Sequence, residues 1–153
     1  MKTPPEGWTL SSLTELFASD PEALGDVDVT VADGSDVLQV TLKERGDLNV
    51  LIAASGDQIL MSVALAPAAD VPNRAAFDQL VLRTHKLVPL STFGLTTIDN
   101  AEWYELFGSL SSQSLADVVV EEADVLASNA LEAAEMISEW IAHGGATGEG
   151  DKS

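Results

Sequence analysis

Apolar and polar residues alternate with a period of two along much of the first half of the chain. The alternation covers residues 27–31 and 38–42, and the turn-forming sequence Asp33-Gly34-Ser35-Asp36 lies between them. A period of two places alternate side chains on opposite faces of a strand, so both segments are predicted to be β-strands. A second turn is predicted at 44–47, because Gly46 stands there among charged residues.

The next two segments, 48–55 and 58–65, are predicted to form a hairpin. Gly56-Asp57 fits a two-residue turn, which places Ser55 opposite Gln58. Counting from that pair puts one apolar set on a single face: Leu48, Val50, Ile52, Ala54, Ile59, Met61, Val63 and Leu65. The opposite face carries Asn49, Leu51, Ala53, Leu60, Ser62 and Ala64. That face is less polar than a solvated face normally is, so a covering partner such as a second copy is compatible with it.

Two segments have the helical period instead. A short first helix is predicted after Thr9 or Ser11, either of which can cap it. A second helix is predicted from a cap at Asp70 or Asn73 to about Lys86.

The segment after the second helix contains one clear signal and one ambiguous one. Pro89 ends helical structure, and residues 90–98 are predicted as a fifth strand in which Gly94 marks a bulge or a close backbone approach. Residues 99–110 are rich in aromatic residues, which favours a strand, but four apolar residues there also recur at helical spacing. An acidic capping signal at the start of the segment leads us to predict a helix.

The longest predicted helix runs from Ser114 to His143 and is ended by Gly144-Gly145. Ser114 and Asp117 approximate a capping box at its start. Its apolar side is expected to lie on the apolar face of the hairpin. Its other side carries acidic residues three or four positions apart, and we predict that they dock a partner: Asp117, Glu121, Asp124, Glu132, Glu135 and Glu139.

These elements predict an α+β fold with an antiparallel sheet of about five strands and helices packed on one face. The predicted element order is α-β-β-β-β-α-β-α-α. Residues 1–143 are expected to form one domain, and residues 144–153 a disordered acidic, glycine-rich tail.

Charge narrows the functional classes. The chain has 25 acidic and 7 basic residues, a formal net charge of −18. Such a field disfavours direct binding to nucleic acids and to anionic lipid headgroups, but it suits a basic protein partner or mimicry of a nucleic acid. No apolar run is long enough to span a membrane, no secretory signal is evident and there is no cysteine, so a cytoplasmic location without membrane insertion is expected.

Candidate chemistry is sparse. Both histidines, His85 and His143, stand near predicted helix ends, where an imidazole favours the helix dipole. No calcium-loop, di-iron or phosphate-loop pattern occurs, so we predict no catalytic residue, metal ion or cofactor. The alternative is a small enzyme or ligand sensor with a pocket near His85, Ser91 and Asp99.

Two segments of the chain carry a family resemblance: residues 84–94, THKLVPLSTFG, and residues 103–110, WYELFGSL, followed by the acidic helix. In these segments the chain resembles the YjfI-like family of uncharacterised bacterial proteins. The resemblance implies a small cytosolic protein and a setting beside membrane-stress proteins of the phage-shock type, without an assigned activity. The element order also resembles type III secretion chaperones, which are small, acidic and dimeric.

The sequence therefore predicts a non-enzymatic protein-binding or adaptor module of a chaperone-like kind. Its partner is expected to be a protein, with a basic one favoured by the charge, and a homodimer remains open.

Overall fold

The computed structural model describes residues 1–145 and has an α+β fold, as predicted. Three α-helices pack on one face of a six-stranded sheet, and four short 3-10 helices join elements. The helices are α1 Leu10–Ala18, α2 Arg74–Thr84 and α3 Ala116–Ala142. The strands are β1 Val27–Val31, β2 Val37–Leu42, β3 Leu48–Ser55, β4 Gln58–Pro67, β5 Thr92–Ile98 and β6 Ala101–Ser111.

The strands are antiparallel throughout and lie in the order β1-β2-β3-β4-β6-β5. The predicted turn sets the register of the β3–β4 hairpin, because Ser55 pairs with Gln58 and Ile52 with Met61. Strand β6 lies between β4 and β5, so β5 is an edge strand although it is not at either end of the chain.

The helix predicted over 99–110 is wrong, because residues 101–111 form strand β6. Asp99 and Asn100 have φ values of 49° and 65°, both left-handed, as a two-residue hairpin turn of the primed type requires. Long-range pairing with β4 decides between the two patterns that fit these residues. The sheet consequently has six strands rather than about five.

One face of the sheet is covered by helices and forms the main core. Buried residues of β2, β3 and β4 pack there with α1 and with the apolar side of α3, as predicted for the longest helix. The α3 residues in this core are mostly small: Ala116, Val119, Ala123, Leu126, Ala127, Ala130 and Ala133. A second cluster joins α2 to the end of α3, where the Phe77 ring lies edge-on to Tyr104 at 5.1 Å and to Trp140 at 5.4 Å.

The sequence predicted the end of α3 correctly and its start incorrectly. The Ser114 cap is wrong: the helix starts at Ala116 after Leu115, and no side chain among the described residues caps it. The carbonyl of Ser114 instead accepts hydrogen bonds from Trp8 Nε1 at 2.7 Å and Thr3 Oγ1 at 2.9 Å. The predicted glycine end is confirmed, because Gly144 and Gly145 have positive φ and their N–H groups bond to α3 carbonyls.

Gly145 is buried against the Pro72–Asn73 segment, although it was assigned to the predicted tail. The domain therefore extends to at least Gly145. The rest of that tail, residues 146–153, lies outside the described residues.

Candidate functional site

The predicted docking residues lie on the side of α3 that faces away from the sheet. We call Asp117, Glu121, Asp124, Glu132, Glu135 and Glu139 the acidic stripe. Five of them are exposed, and Asp124 is half-buried. Within residues 1–145, none of those five forms an ion pair. The stripe therefore presents an uncompensated line of carboxylates.

Asp124 has a structural partner that the sequence did not reveal. The Arg45 guanidinium donates hydrogen bonds to the Asp124 carboxylate, to the Asp124 carbonyl at 3.1 Å and to the Ala23 carbonyl at 3.2 Å. Arg45 comes from the 3-10 helix between β2 and β3. Asp124 thus ties α3 to the β2–β3 connection and is the stripe residue least free to meet a partner.

The second candidate surface is the open face, which we define as the side of the sheet opposite α3. Its central side chains include Leu51, Leu60 and Val37, which are 39%, 41% and 36% exposed. Ala53 pairs with Val37 on one side and with Leu60 on the other, so the three strands bring these residues together. They form a continuous apolar patch across β2, β3 and β4.

Acidic residues border that apolar patch. The β1–β2 and β3–β4 turns lie at the same end of the sheet, next to Val37 and Leu60, and they expose Asp33, Asp36 and Asp57. The strand residues that point to the open face include two acids, Asp28 and Glu105, and no lysine or arginine. The patch therefore combines apolar area with a negative border.

Glu105 and Phe107 extend the open face toward β5. Partial burial raises the pKa of the Glu105 carboxyl above its ordinary value. A Cβ at Gly94 would lie only 2.9 Å from the Phe107 ring, so this glycine lets the ring lie over the backbone of β5. This is the close backbone approach predicted at Gly94.

The alternative pocket does not form. Ser91 is buried and its hydroxyl accepts a hydrogen bond from Asn129 Nδ2 at 2.9 Å, while the His85 ring lies edge-on to Phe93 at 6.0 Å. Asp99 lies beyond the full length of β5, roughly 26 Å from Ser91 at about 3.3 Å per residue. A nearby cavity of about 190 Å³ is lined mainly by apolar residues and by none of these three side chains.

The structure also identifies a residue that sequence reasoning overlooked, Glu122. It lies on the sheet side of α3, is 8% exposed, and its Oε2 has no hydrogen-bond partner among the described residues. Burial, and secondarily the charge of Glu121, raises the pKa of the Glu122 carboxyl. Its spacing from Val119 and Leu126 on the apolar side of the helix was the available signal.

Neither a metal site nor a membrane-spanning helix is found within residues 1–145. No cluster of three or more acidic or histidine side chains there is arranged to hold a metal ion. In the same part of the chain, no helix combines the length and hydropathy needed to cross a membrane.

The fold and these two surfaces define an acidic α+β protein with an open-faced antiparallel sheet. A family model described as "Uncharacterized protein conserved in bacteria (DUF2170)" matches residues 7–141. The chain belongs to the DUF2170 family. Escherichia coli (strain K12) YjfI, described as an uncharacterized protein, is 29% identical over 133 residues, which are 87% of this chain and 97% of the relative. The predicted family resemblance is confirmed.

Solved structures share the fold at low sequence identity. The crystal structure of YbjN from E. coli aligns with a TM-score of 0.65 at 16% identity, over 89% of this chain and 93% of that one. An uncharacterized protein from Methanothermobacter thermautotrophicus aligns with a TM-score of 0.60 at 19% identity, over 84% and 98%. These similarities establish a common fold and nothing about activity.

A weaker structural similarity involves a chaperone-effector complex. The structure of the HopA1-SchA chaperone-effector complex aligns with a TM-score of 0.47 at 13% identity, over 87% of this chain and 89% of that one. Similarity at this level supports no functional argument. The membrane-stress setting implied by the family resemblance stays a prediction, since none of these relatives tests it.

Proposed function

We propose that this protein is a non-enzymatic binding module that holds a basic, amphipathic segment of a partner protein on its open face. The observation that carries this proposal is the apolar patch around Leu51 and Leu60, which is bordered by aspartates and free of cationic strand residues. Holding an apolar segment of another protein is the task of an adaptor or chaperone.

The chemistry of the partner follows from that surface. The exposed part of the patch consists mainly of Leu51, Leu60 and Val37. Removing these apolar side chains from water lowers the free energy, so apolar side chains of a partner bind there favourably. Asp33, Asp36 and Asp57 attract lysine or arginine next to those apolar side chains. An acidic segment would be repelled at the same border.

The acidic stripe is proposed as a second, electrostatic docking surface. It lies on the opposite side of the molecule from the open face, because α3 lies between the stripe and the sheet. Exposed carboxylates in water give weak individual contacts, so the stripe contributes attraction and salt dependence more than tight binding. The open face supplies the apolar contact area.

The proposal is tested with a synthetic peptide of alternating leucine and lysine, titrated into the full chain by calorimetry. We expect binding at low salt that weakens as salt rises, and no binding of the matched leucine-glutamate peptide. Leu51→Lys or Leu60→Lys should weaken binding of the leucine-lysine peptide at least tenfold, which corresponds to about 1.4 kcal/mol of binding free energy.

Ile141→Lys is the matched control. Ile141 is an α3 residue that is 40% exposed, close to the 41% of Leu60, and the substitution changes net charge equally. At helical spacing Ile141 lies on the other side of α3 from Glu139, away from the acidic stripe. We expect this variant to leave binding nearly unchanged. Equal weakening by Ile141→Lys and Leu60→Lys, or no binding by the native chain, would overturn the open face as the site.

A further inference from the structure

Strand β5 is an edge strand that lacks the usual protection against pairing. Its sequence, Thr92–Ile98, contains no charged residue and no proline, and within residues 1–145 only β6 pairs with it. Sheet edges normally carry charges, prolines or covering elements, because their free backbone N–H and C=O groups can pair with another strand. The other edge, β1, is shorter, contains Asp28 in an ion pair with Lys43, and has α1 packed against it.

Apolar side chains flank the free edge. A surface groove of about 280 Å³ lies between α2 and β5 and is lined by Val81, Leu82, Phe93 and Leu95, among others. Leu82 is 77% exposed and Leu95 is 47% exposed. Since Leu95 is the middle residue of the seven in β5, apolar contacts and a pairing edge are centred on the same position.

The charge around this edge differs from that of the whole chain. Residues 72–105, which contain α2, β5 and the start of β6, carry the three bases Arg74, Arg83 and Lys86 and the four acids Asp78, Asp99, Glu102 and Glu105. These charges nearly cancel, whereas the chain as a whole has a net charge of −18. Two copies can therefore meet at this edge with much less repulsion than opposes contact through the acidic stripe or the open face.

We propose that β5 pairs antiparallel with β5 of a second copy about a two-fold axis at Leu95. All seven residues then pair, with Leu95 opposite Leu95 of the second copy, Phe93 opposite Thr97 and Thr92 opposite Ile98. Two six-stranded sheets become one continuous sheet of twelve strands, and Leu82 of each copy lies beside the junction.

This inference is independent of the proposed function. It adds that the dimer presents two open faces on the same side of one sheet, because antiparallel partners point paired side chains to the same face. A partner with two basic, apolar segments could then engage both copies.

Sedimentation equilibrium of the full chain tests the dimer. We expect the native protein to be dimeric and Leu95→Lys to be monomeric, because the variant places two ammonium groups together on the axis. Leu131→Lys, with the same charge change at a similarly exposed leucine, should stay dimeric. Circular dichroism and thermal melting verify that each variant is folded.

The register is tested by disulfide formation, for which this cysteine-free chain needs no background removal. Leu95→Cys should form a covalent dimer on oxidation, because residues opposite each other have Cα atoms about 5 Å apart. Thr97→Cys should not, since the two copies of that residue are offset by four positions, roughly 13 Å.

A native chain that is monomeric at about 100 μM, a typical working concentration, would overturn the proposal. So would a dimer that survives Leu95→Lys and whose Leu95→Cys form does not cross-link, because it would use another surface. Failure of the open face is seen separately, in the peptide titration of Leu60→Lys.

Discussion

Glu122 has an environment unlike that of its neighbour Glu121, although the two are adjacent in sequence. Glu121 belongs to the exposed stripe, whereas Glu122 points toward the sheet, where the absence of a side chain at Gly108 leaves room for its carboxylate. A buried carboxylate without a hydrogen-bond partner costs free energy when ionised. This residue therefore destabilises the fold at neutral pH.

The direction of the pH dependence follows from the raised pKa of Glu122. The folded state holds this proton more tightly than the unfolded state does. Stability contributed by this group is accordingly greatest below its unfolded pKa and falls as pH rises toward and through the higher folded pKa. Above both values the penalty is fully present.

Glu122→Gln should therefore raise the free energy of unfolding at pH 7, by about 1 kcal/mol. The same variant should show little gain at roughly pH 3, where the carboxyl of Glu122 is mostly protonated in both the folded and the unfolded state. Urea unfolding at the two pH values measures both quantities. Glu121→Gln is the control and should give a smaller gain, because its charge is the lesser cause of the shift. A Glu122→Gln variant less stable than the native chain at pH 7 would contradict this account.

At the scale of elements, the β5–β6 hairpin depends on a turn whose two residues both have left-handed backbones. Asn100 has a φ of 65°, whereas Asp57, at the equivalent second position of the β3–β4 turn, does not have a positive φ. Asparagine tolerates the left-handed region better than alanine does. Asp57 can therefore serve as the control position for Asn100.

Asn100→Ala should lower the free energy of unfolding by about 1 kcal/mol, and Asn100→Gly should leave it unchanged or raise it. Asp57→Ala should change it by less than about 0.5 kcal/mol, as an exposed substitution without backbone strain. Thermal and urea unfolding measure all three. Equal effects of Asn100→Ala and Asp57→Ala would show that turn geometry is not the cause.

The same two hairpins show how far the sequence determined the elements. Gly56-Asp57 is a strong local signal, so the β3–β4 register followed from counting. Asp99-Asn100 is a weaker turn signal, and the four apolar residues after it fit a helix and a strand equally well. What decides is pairing of β6 with β4, about 40 residues earlier in the chain, which no local window contains.

The candidate surfaces were predictable to different degrees for a similar reason. The acidic stripe follows from helical spacing alone, and the half-apolar face of β3–β4 follows from its register. The unprotected edge does not, because placing β5 outside β6 depends on the strand order. Glu122 was missed because only the regularly spaced acidic residues of α3 were considered as candidates.

At the scale of the whole molecule, three surfaces differ in kind. The acidic stripe is charged, the open face is apolar with an acidic border, and the β5 edge is uncharged. They point in different directions, so dimerisation at the edge leaves the other two free. Each surface can therefore be altered by substitution without removing the other two.

Replacing Glu132, Glu135 and Glu139 together by glutamine should weaken the leucine-lysine peptide several-fold at low salt and leave binding unchanged at high salt. Stability should stay equal or rise by about 0.5 kcal/mol, because like charges at these helical spacings repel. Titrations at two salt concentrations and urea unfolding check both.

A second triple variant distinguishes the effect of the acidic stripe from the effect of net charge on peptide binding. It has the same charge change and combines Glu6→Gln, Glu15→Gln and Asp70→Asn. These three acids are exposed and are not part of α3. If that control weakens the peptide as much as the stripe variant does, the stripe is no docking surface and acts only through total charge.

The hydrogen bonds that Trp8 and Thr3 donate to Ser114 bear on the order in which the chain folds during synthesis. The Trp8 contact joins residues separated by 106 positions. The beginning of the chain leaves the ribosome first, yet its anchor at the start of α3 emerges only after all six strands have been made. Trp8 must therefore wait, without this hydrogen bond, until Ser114 has been made.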